Sequence, residues 1–191
     1  MKCLQSTVIN LIGGPGIGKS TLAADIFSKL KKQHYSCELV SEYPKEVTWE
    51  DNQKLLENQI VIFSEQFRRV WRLDGKVKYI VTDSPLIMSS VYFEYYLDKT
   101  KKQFTDHYKK LSIDFFDETF DQFNNLNFLL SRQFKYSDEG RNESIDEASN
   151  LDTKLSRKLI DRGYTYYSVP SYLDDTERVE RICKEIRTKT E

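Results

Sequence analysis

Cysteine is scarce and odd in number: Cys3, Cys37 and Cys183 are the only three, widely separated along 191 residues. They form no metal-ligand spacing, and with His34 and His107 the only histidines the chain argues against a zinc site and for reduced thiols. Long apolar runs are also missing. None approaches the roughly 18 residues a membrane-spanning helix needs, and polar Gln5, Ser6 and Asn10 interrupt the apolar residues near the start, so no signal peptide is read there. Charge of one sign is lacking as well. The formal net charge is −1 with 31% charged residues, a balance that argues against a general DNA-coating protein but not against a local basic patch. These absences predict a soluble, cytoplasmic protein with no membrane partner. The length suits one domain, 1–191, with a genuine core.

Glycine and proline are few, seven and four, and four of the glycines fall in one run, Gly13-Gly14-Pro15-Gly16-Ile17-Gly18-Lys19-Ser20. It fits G-x-x-x-x-G-K-[ST] with nothing missing. Val8 to Ile12 leads in, and Leu22, Ile26 and Leu30 follow at helical spacing. Strand, glycine loop and helix form the context of a phosphate-binding loop. The backbone N–H groups within Gly13 to Thr21, Pro15 alone having none, converge on an anion, which the positive end of the helix also favours. In that reading Lys19 reaches the β- and γ-phosphates of ATP and Ser20 offers its hydroxyl to Mg²⁺.

Apolar runs alternate with helical periodicity from end to end. Strands are predicted near 7–12, 37–41, 77–82, 126–131 and 164–169. Helices are predicted near 19–33, 49–72, 85–97, 104–121, 143–162 and 174–188. The alternation implies an α/β fold, a parallel sheet covered on both faces. In the 49–72 helix, Leu56, Ile60, Phe63, Phe67 and Val70 make the apolar stripe, and Thr48 with Asp51 reads as its cap. Ser84 and Pro85 read as the start of the next helix. Pro15, Pro44, Pro85 and Pro170 each follow a predicted strand, marking the carboxyl edge where open α/β sheets bind ligands.

The second and third strands deliver acids to that edge: Glu42, then Asp83. Two carboxylates beside Mg-nucleotide permit one to hold the metal while the other accepts a proton from an attacking hydroxyl. Glu42 is the first choice as general base and Asp83 as metal holder, with the reverse as the alternative. After the fourth strand the polar loop beginning at Ser131 carries Arg132 and Arg141. A lid over 132–145 would let these arginines stabilise a transferring phosphoryl group and exclude water. Trp49, Tyr92 and Tyr95 lie near the same edge, and Trp49 and Tyr92 are the candidates, with Glu42, for holding a planar acceptor. Lys99, Lys101, Lys102, Lys109 and Lys110, interleaved with Phe104 and Tyr108, are either a solvated helix face or a dock for an anionic acceptor, nucleic acid included. No Asn-Lys-x-Asp guanine reader exists, and Asp83 precedes Ser-Pro-Leu where a GTPase switch has x-x-Gly.

With these motifs the chain resembles the small P-loop kinases, in particular phage-type AAA-labelled proteins grouped near ribosylnicotinamide kinase domains and the thymidylate kinase family. The resemblance rests on 13–20, on Ser41 to Glu46 with Thr48-Trp49-Glu50, on Leu56 to Gln59 and on Thr82 to Leu86. Tyr136, Gly140-Arg141, Glu147-Ala148 and Asp152 complete it. It implies a P-loop NTPase fold of three layers, α/β/α, with five parallel strands in the order 2-3-1-4-5 and a lid after the fourth. It also implies ATP and Mg²⁺ as cofactors and γ-phosphoryl transfer to a hydroxyl of a nucleoside- or nucleotide-like acceptor. One branch is similar to viral kinases of 5-hydroxymethyluridine in DNA, which would place the chain in a host cytoplasm. The acceptor is therefore open between DNA, a free nucleoside such as ribosylnicotinamide and a nucleoside monophosphate. The Glu-x-Pro element is similar to that of deoxynucleoside kinases, but Ser84 stands where those have arginine. A homodimer is a possible assembly. The rival reading is an ATP-dependent regulatory switch with no acceptor but water.

Overall fold

The computed structural model describes residues 5–101, 103–133 and 143–190. β1 (Thr7–Ile12) is buried along its whole length, as the central strand of a sheet covered on both faces must be. With β2 (Cys37–Val40), β3 (Tyr79–Thr82), β4 (Asn124–Leu130) and β5 (Tyr166–Val169) it forms one sheet in the order β2-β3-β1-β4-β5. Every pairing is parallel. The α/β fold and the strand order 2-3-1-4-5 are those expected.

The period of two in β1 divides the core. Val8 and Ile12 pack with Val47, Phe63, Val91, Phe116 and Leu155. These come from α2 (Tyr43–Trp49), α4 (Gln59–Trp71), α5 (Met88–Thr100), α6 (Asp106–Phe120) and α7 (Ile145–Asp161). Ile9 and Leu11 face the other way, against Leu22, Ile26, Ile182 and Ile186 of α1 (Lys19–Lys32) and α8 (Asp175–Thr190). Among the described residues no helix is long and apolar enough to cross a membrane.

The segment predicted as one helix over 49–72 holds two, α3 (Gln53–Leu56) and α4, and α2 ends at Trp49, where that helix was expected to begin. Asparagines divide it. Asn52 accepts from the Leu55 N–H and Asn58 from the Val61 N–H, each starting a new helix, and Asp51 takes a positive φ of 53°. A short amide side chain that bonds the backbone locally competes with the helical ladder. Thr48 is no cap; its hydroxyl donates to Pro44 O. The apolar stripe is also turned. Ile60 is exposed, while Gln59 and Gln66 are buried alongside Ile62, Phe63 and Val70.

Three helix starts matter for the site. α1 begins straight after Gly18, whose φ of 92° suits glycine, and no side chain caps its N–H groups. Its first turn is thus open to an anion. The start predicted at Ser84-Pro85 is a turn instead, Met88 N–H bonding Pro85 O, and α5 begins at Met88. α7 opens on a reciprocal box, Ser144 accepting from the Glu147 N–H and Glu147 from the Ser144 N–H.

Candidate functional site

Register brings the acids together. Val40 pairs with Thr82, and Thr82 with Asn10, so the ends of β2 and β3 lie beside the strand that leads into the glycine loop. Glu42 and Asp83 therefore leave neighbouring strands next to Lys19. Each contributes to holding the lysine's charge, Glu42 more than Asp83. A cleft of about 220 Å³ runs along this edge. Its wall combines Gly16, Gly18, Lys19, Ser20 and Thr21 of the loop and the start of α1 with Glu42, Gln59, Tyr92, Tyr96 and Glu143.

Lys19 is buried and donates to Gly13 O at 2.8 Å and Gly14 O at 2.9 Å. Burial pushes its pKa down against the pull of Glu42, Asp83 and Asp152. Glu42 moves the opposite way. Burial raises its carboxyl above the ordinary value and Asp83 adds to that, while Lys19 opposes it. A carboxylate made more basic and an ammonium made more acidic, side by side, are groups poised to exchange or withdraw charge. Asp83 is 4% exposed, and its Oδ1 finds no hydrogen-bond partner among the described residues. Ser20 is exposed and lines the cleft. An orphaned carboxylate oxygen and a hydroxyl are the donors a hard cation takes, so Ser20 and Asp83 fit Mg²⁺.

Glu42 is held from both sides. The Gln66 amide accepts from the Tyr43 N–H at 3.0 Å and donates to Ser41 O at 3.4 Å. α2, which Glu42 precedes, is fastened to α4 by Glu46, which takes Arg69 in two hydrogen bonds of 2.7 and 2.6 Å. Tyr92 lines the cleft, in edge contact with Tyr95 and tilted against Tyr96. Burial raises its phenol well above the usual value, so it stays neutral. Trp49 does not join the site. It is 64% exposed as the last residue of α2 and is not part of the lining. Tyr95 points to Glu147, not into the cleft.

Arg132 lies on the phosphate loop, its Nη1 donating to Pro15 O at 2.8 Å and its Nε to Asp152 at 2.7 Å. Gln133 after it is tied to Ser171 O and Leu173 O. Arg141, and positions 134–142 of the expected lid with it, lie outside the described residues. Five residues of the site were given no role from the sequence: Gln59, Gln66, Tyr96, Glu143 and Asp152, although Gln59 and Asp152 stand among those that carry the resemblance. The glutamines had a signal, since two amides seven apart sit on the same helical face as Ile62, Phe63 and Val70. Of the basic stretch, Lys99 bonds Tyr95 and Glu147, and Lys109 pairs with Asp106.

A family model described as an AAA domain matches residues 8–178. No curated protein matches the chain. Among solved structures, a NadR protein in complex with NR superposes with a TM-score of 0.73 at 15% identity, over 94% of this chain and 51% of that one. The chain thus spans about half the length of that relative. A deoxyadenosine kinase from M. mycoides with bound dATP superposes with a TM-score of 0.64 at 18% identity, over 94% and 99%. The same enzyme with the products dCMP and a flexible dCDP gives 0.63 at 14%. At such identities the likeness is one of fold.

Proposed function

The chain belongs to the AAA-domain family, and on that premise we propose that it is an ATP- and Mg²⁺-dependent phosphotransferase. It moves the γ-phosphoryl group to a hydroxyl of a nucleoside- or nucleotide-like acceptor. The observation that carries this reading is the continuity of the cleft, from the phosphate loop past Glu42 to a wall of Gln59, Tyr92 and Tyr96. A switch that only binds nucleotide has no use for a base beside the phosphates with amide and tyrosine side chains lining the same cleft. The named structural relatives, a deoxyadenosine kinase and NadR, are in keeping with such an acceptor.

In this mechanism the N–H groups of the loop and of the first turn of α1 hold the donor phosphates. Lys19 exchanges its carbonyl partners for the transferring phosphoryl oxygens and stabilises the charge they gather. Bound Mg²⁺, held by Ser20 and Asp83, would supply further neutralisation of the phosphates. Glu42 accepts the proton of the acceptor hydroxyl, its raised pKa making it a stronger base than a free carboxylate. Tyr92 and Tyr96 offer ring faces, and Gln59 an amide, to a planar acceptor.

The test is transfer from γ-labelled ATP to three acceptor classes: free nucleosides, nucleoside monophosphates and hydroxymethyluracil-containing DNA. Magnesium-dependent labelling of any class supports the reading and identifies the acceptor. ATP hydrolysis that no acceptor stimulates favours the regulatory switch and overturns it. The DNA acceptor predicts in addition an affinity that falls steeply with salt.

The pH dependence follows from the two shifted groups. kcat/KM for ATP reports ionisations of the free enzyme. Activity is expected to rise with pH as Glu42 loses its proton, at a pH above the ordinary carboxylate value because burial holds the proton on. It is expected to fall again below the ordinary lysine value, because burial makes Lys19 release its proton early. A profile flat from pH 5 to pH 10 would contradict both assignments.

A further inference from the structure

We propose that Asp152 is a positioning residue of the donor site. From the second turn of α7 it fixes the Gly14 peptide of the phosphate loop and holds the Arg132 guanidinium against that loop. Donor affinity then depends on it, although it touches no substrate. This rests on the reading of the loop as the donor site.

The contacts form a closed staple. Asp152 Oδ1 accepts from the Gly14 N–H at 2.6 Å, and Oδ2 accepts from Arg132 Nε at 2.7 Å. The guanidinium then returns to the next residue of the loop, Nη1 donating to Pro15 O at 2.8 Å. Two successive loop residues are thus held from outside by one ion pair, whose side chains are 15% and 23% exposed. Charge-assisted bonds in so sheltered a place are the strong kind.

The approach of α7 to the loop is as close as a backbone allows. A Cβ on Gly14 would lie 2.7 Å from Ala148 O and 2.7 Å from Asp152 Oδ1. Gly14 has no positive φ, so glycine is needed here for room and not for conformation. α7 is itself anchored at its start, where Glu147 takes both the Ser144 N–H and the Tyr95 hydroxyl. The staple therefore hangs from a fixed element and sets the loop before the nucleotide arrives, which lowers the ordering cost of binding. It also decides which N–H groups remain for phosphate. The Gly14 N–H is occupied, so the anion is left to those further along the loop and into α1.

The experiment is calorimetric titration of the full chain with Mg-ATP, for wild type, Asp152→Asn, Arg132→Ala and the double variant, with a melting curve for each. Asparagine keeps the shape and an oxygen for the Gly14 N–H but removes the charge that holds Arg132. Asp152→Asn is expected to weaken Mg-ATP about tenfold, as loss of one charge-assisted bond implies. Added to Arg132→Ala it should weaken binding no more than about twofold further, since the pair acts as one unit. Should Asp152→Asn fail to fold, Asp152→Ser is titrated in its place with the same expectation. Unchanged affinity in the single variant, or losses that multiply in the double variant, would overturn the proposal. Failure of the wild type itself to bind Mg-ATP would instead sink the donor-site reading, so the two failures are told apart without knowledge of the acceptor.

Discussion

Glu42→Gln is expected to lower the rate constant of phosphoryl transfer by about 10²- to 10⁴-fold, the range that general-base catalysis contributes. Affinity for Mg-ATP should stay within about threefold, because the interaction removed is made only on the way to the transition state. The substitution is nearly isosteric, and the two Gln66 bonds that flank position 42 go to the backbone of Ser41 and Tyr43, so the loop keeps its shape. Glutamine cannot accept the proton. The acid limb of the pH profile should disappear together with the rate. Asp83→Asn is the control for the alternative assignment. Asp83, whose buried Oδ1 has no hydrogen-bond partner among the described residues, is assigned to the cation, since an orphaned carboxylate oxygen is a donor a hard cation takes. Its loss should raise the magnesium concentration needed for half-maximal transfer. Single-turnover transfer from labelled ATP, measured across pH and magnesium, separates the two. Full turnover by Glu42→Gln would remove this residue from the mechanism, and loss of the acid limb in Asp83→Asn alone would exchange the roles.

What could be read from the chain without its structure was what repeats locally or is enforced by a stringent backbone. The glycine loop is such a case, since its spacing is set by the anion it wraps. The five strands and their parallel pairing came from alternation of apolar runs with helical periodicity. The break of the 49–72 helix did not, because apolar spacing carries across Asn52 and Asn58 as though no cap were there. Only the side-chain bonds of those asparagines to Leu55 N and Val61 N end one helix and begin the next. Trp49 was read as the start of that helix but is the last residue of α2, where it is exposed. Gln59 and Gln66 were hidden in a stripe judged by its apolar members alone. Asp152 belongs to the resemblance, but nothing local signalled its contact, since it lies 138 residues from the Gly14 peptide it holds. Contacts of that separation are made by strand order and helix docking, which no short window of sequence contains.

Lys19→Met should be as damaging to catalysis and opposite in its effect on the fold. Loss of one preorganised donor to a charge-gathering oxygen costs about 10²- to 10³-fold in rate, and Lys19 is the charged donor of the loop. Unlike Glu42→Gln, this substitution should also weaken Mg-ATP, since the ammonium attracts phosphate in the ground state too. The ligand-free protein, however, is expected to melt higher. Lys19 is buried and its pKa is lowered overall, despite Glu42, Asp83 and Asp152 acting to raise it. A base with a lower pKa in the folded chain than in the unfolded one disfavours folding wherever it must be charged. That cost is complete below the folded value and vanishes above the unfolded one. Methionine, of similar length and apolar, removes the cost while filling the same space. The gain in melting temperature should therefore be present at neutral pH and shrink as pH rises towards the ordinary lysine value. A paired measurement decides the matter: transfer rate and thermal unfolding of the same preparation at pH 7 and pH 10. Higher melting at pH 7 with transfer lost would show a charge held at the expense of stability for the sake of the phosphate it meets. A variant that melts lower at both values would mean that the bonds to Gly13 O and Gly14 O outweigh burial, and that Lys19 stabilises the empty loop.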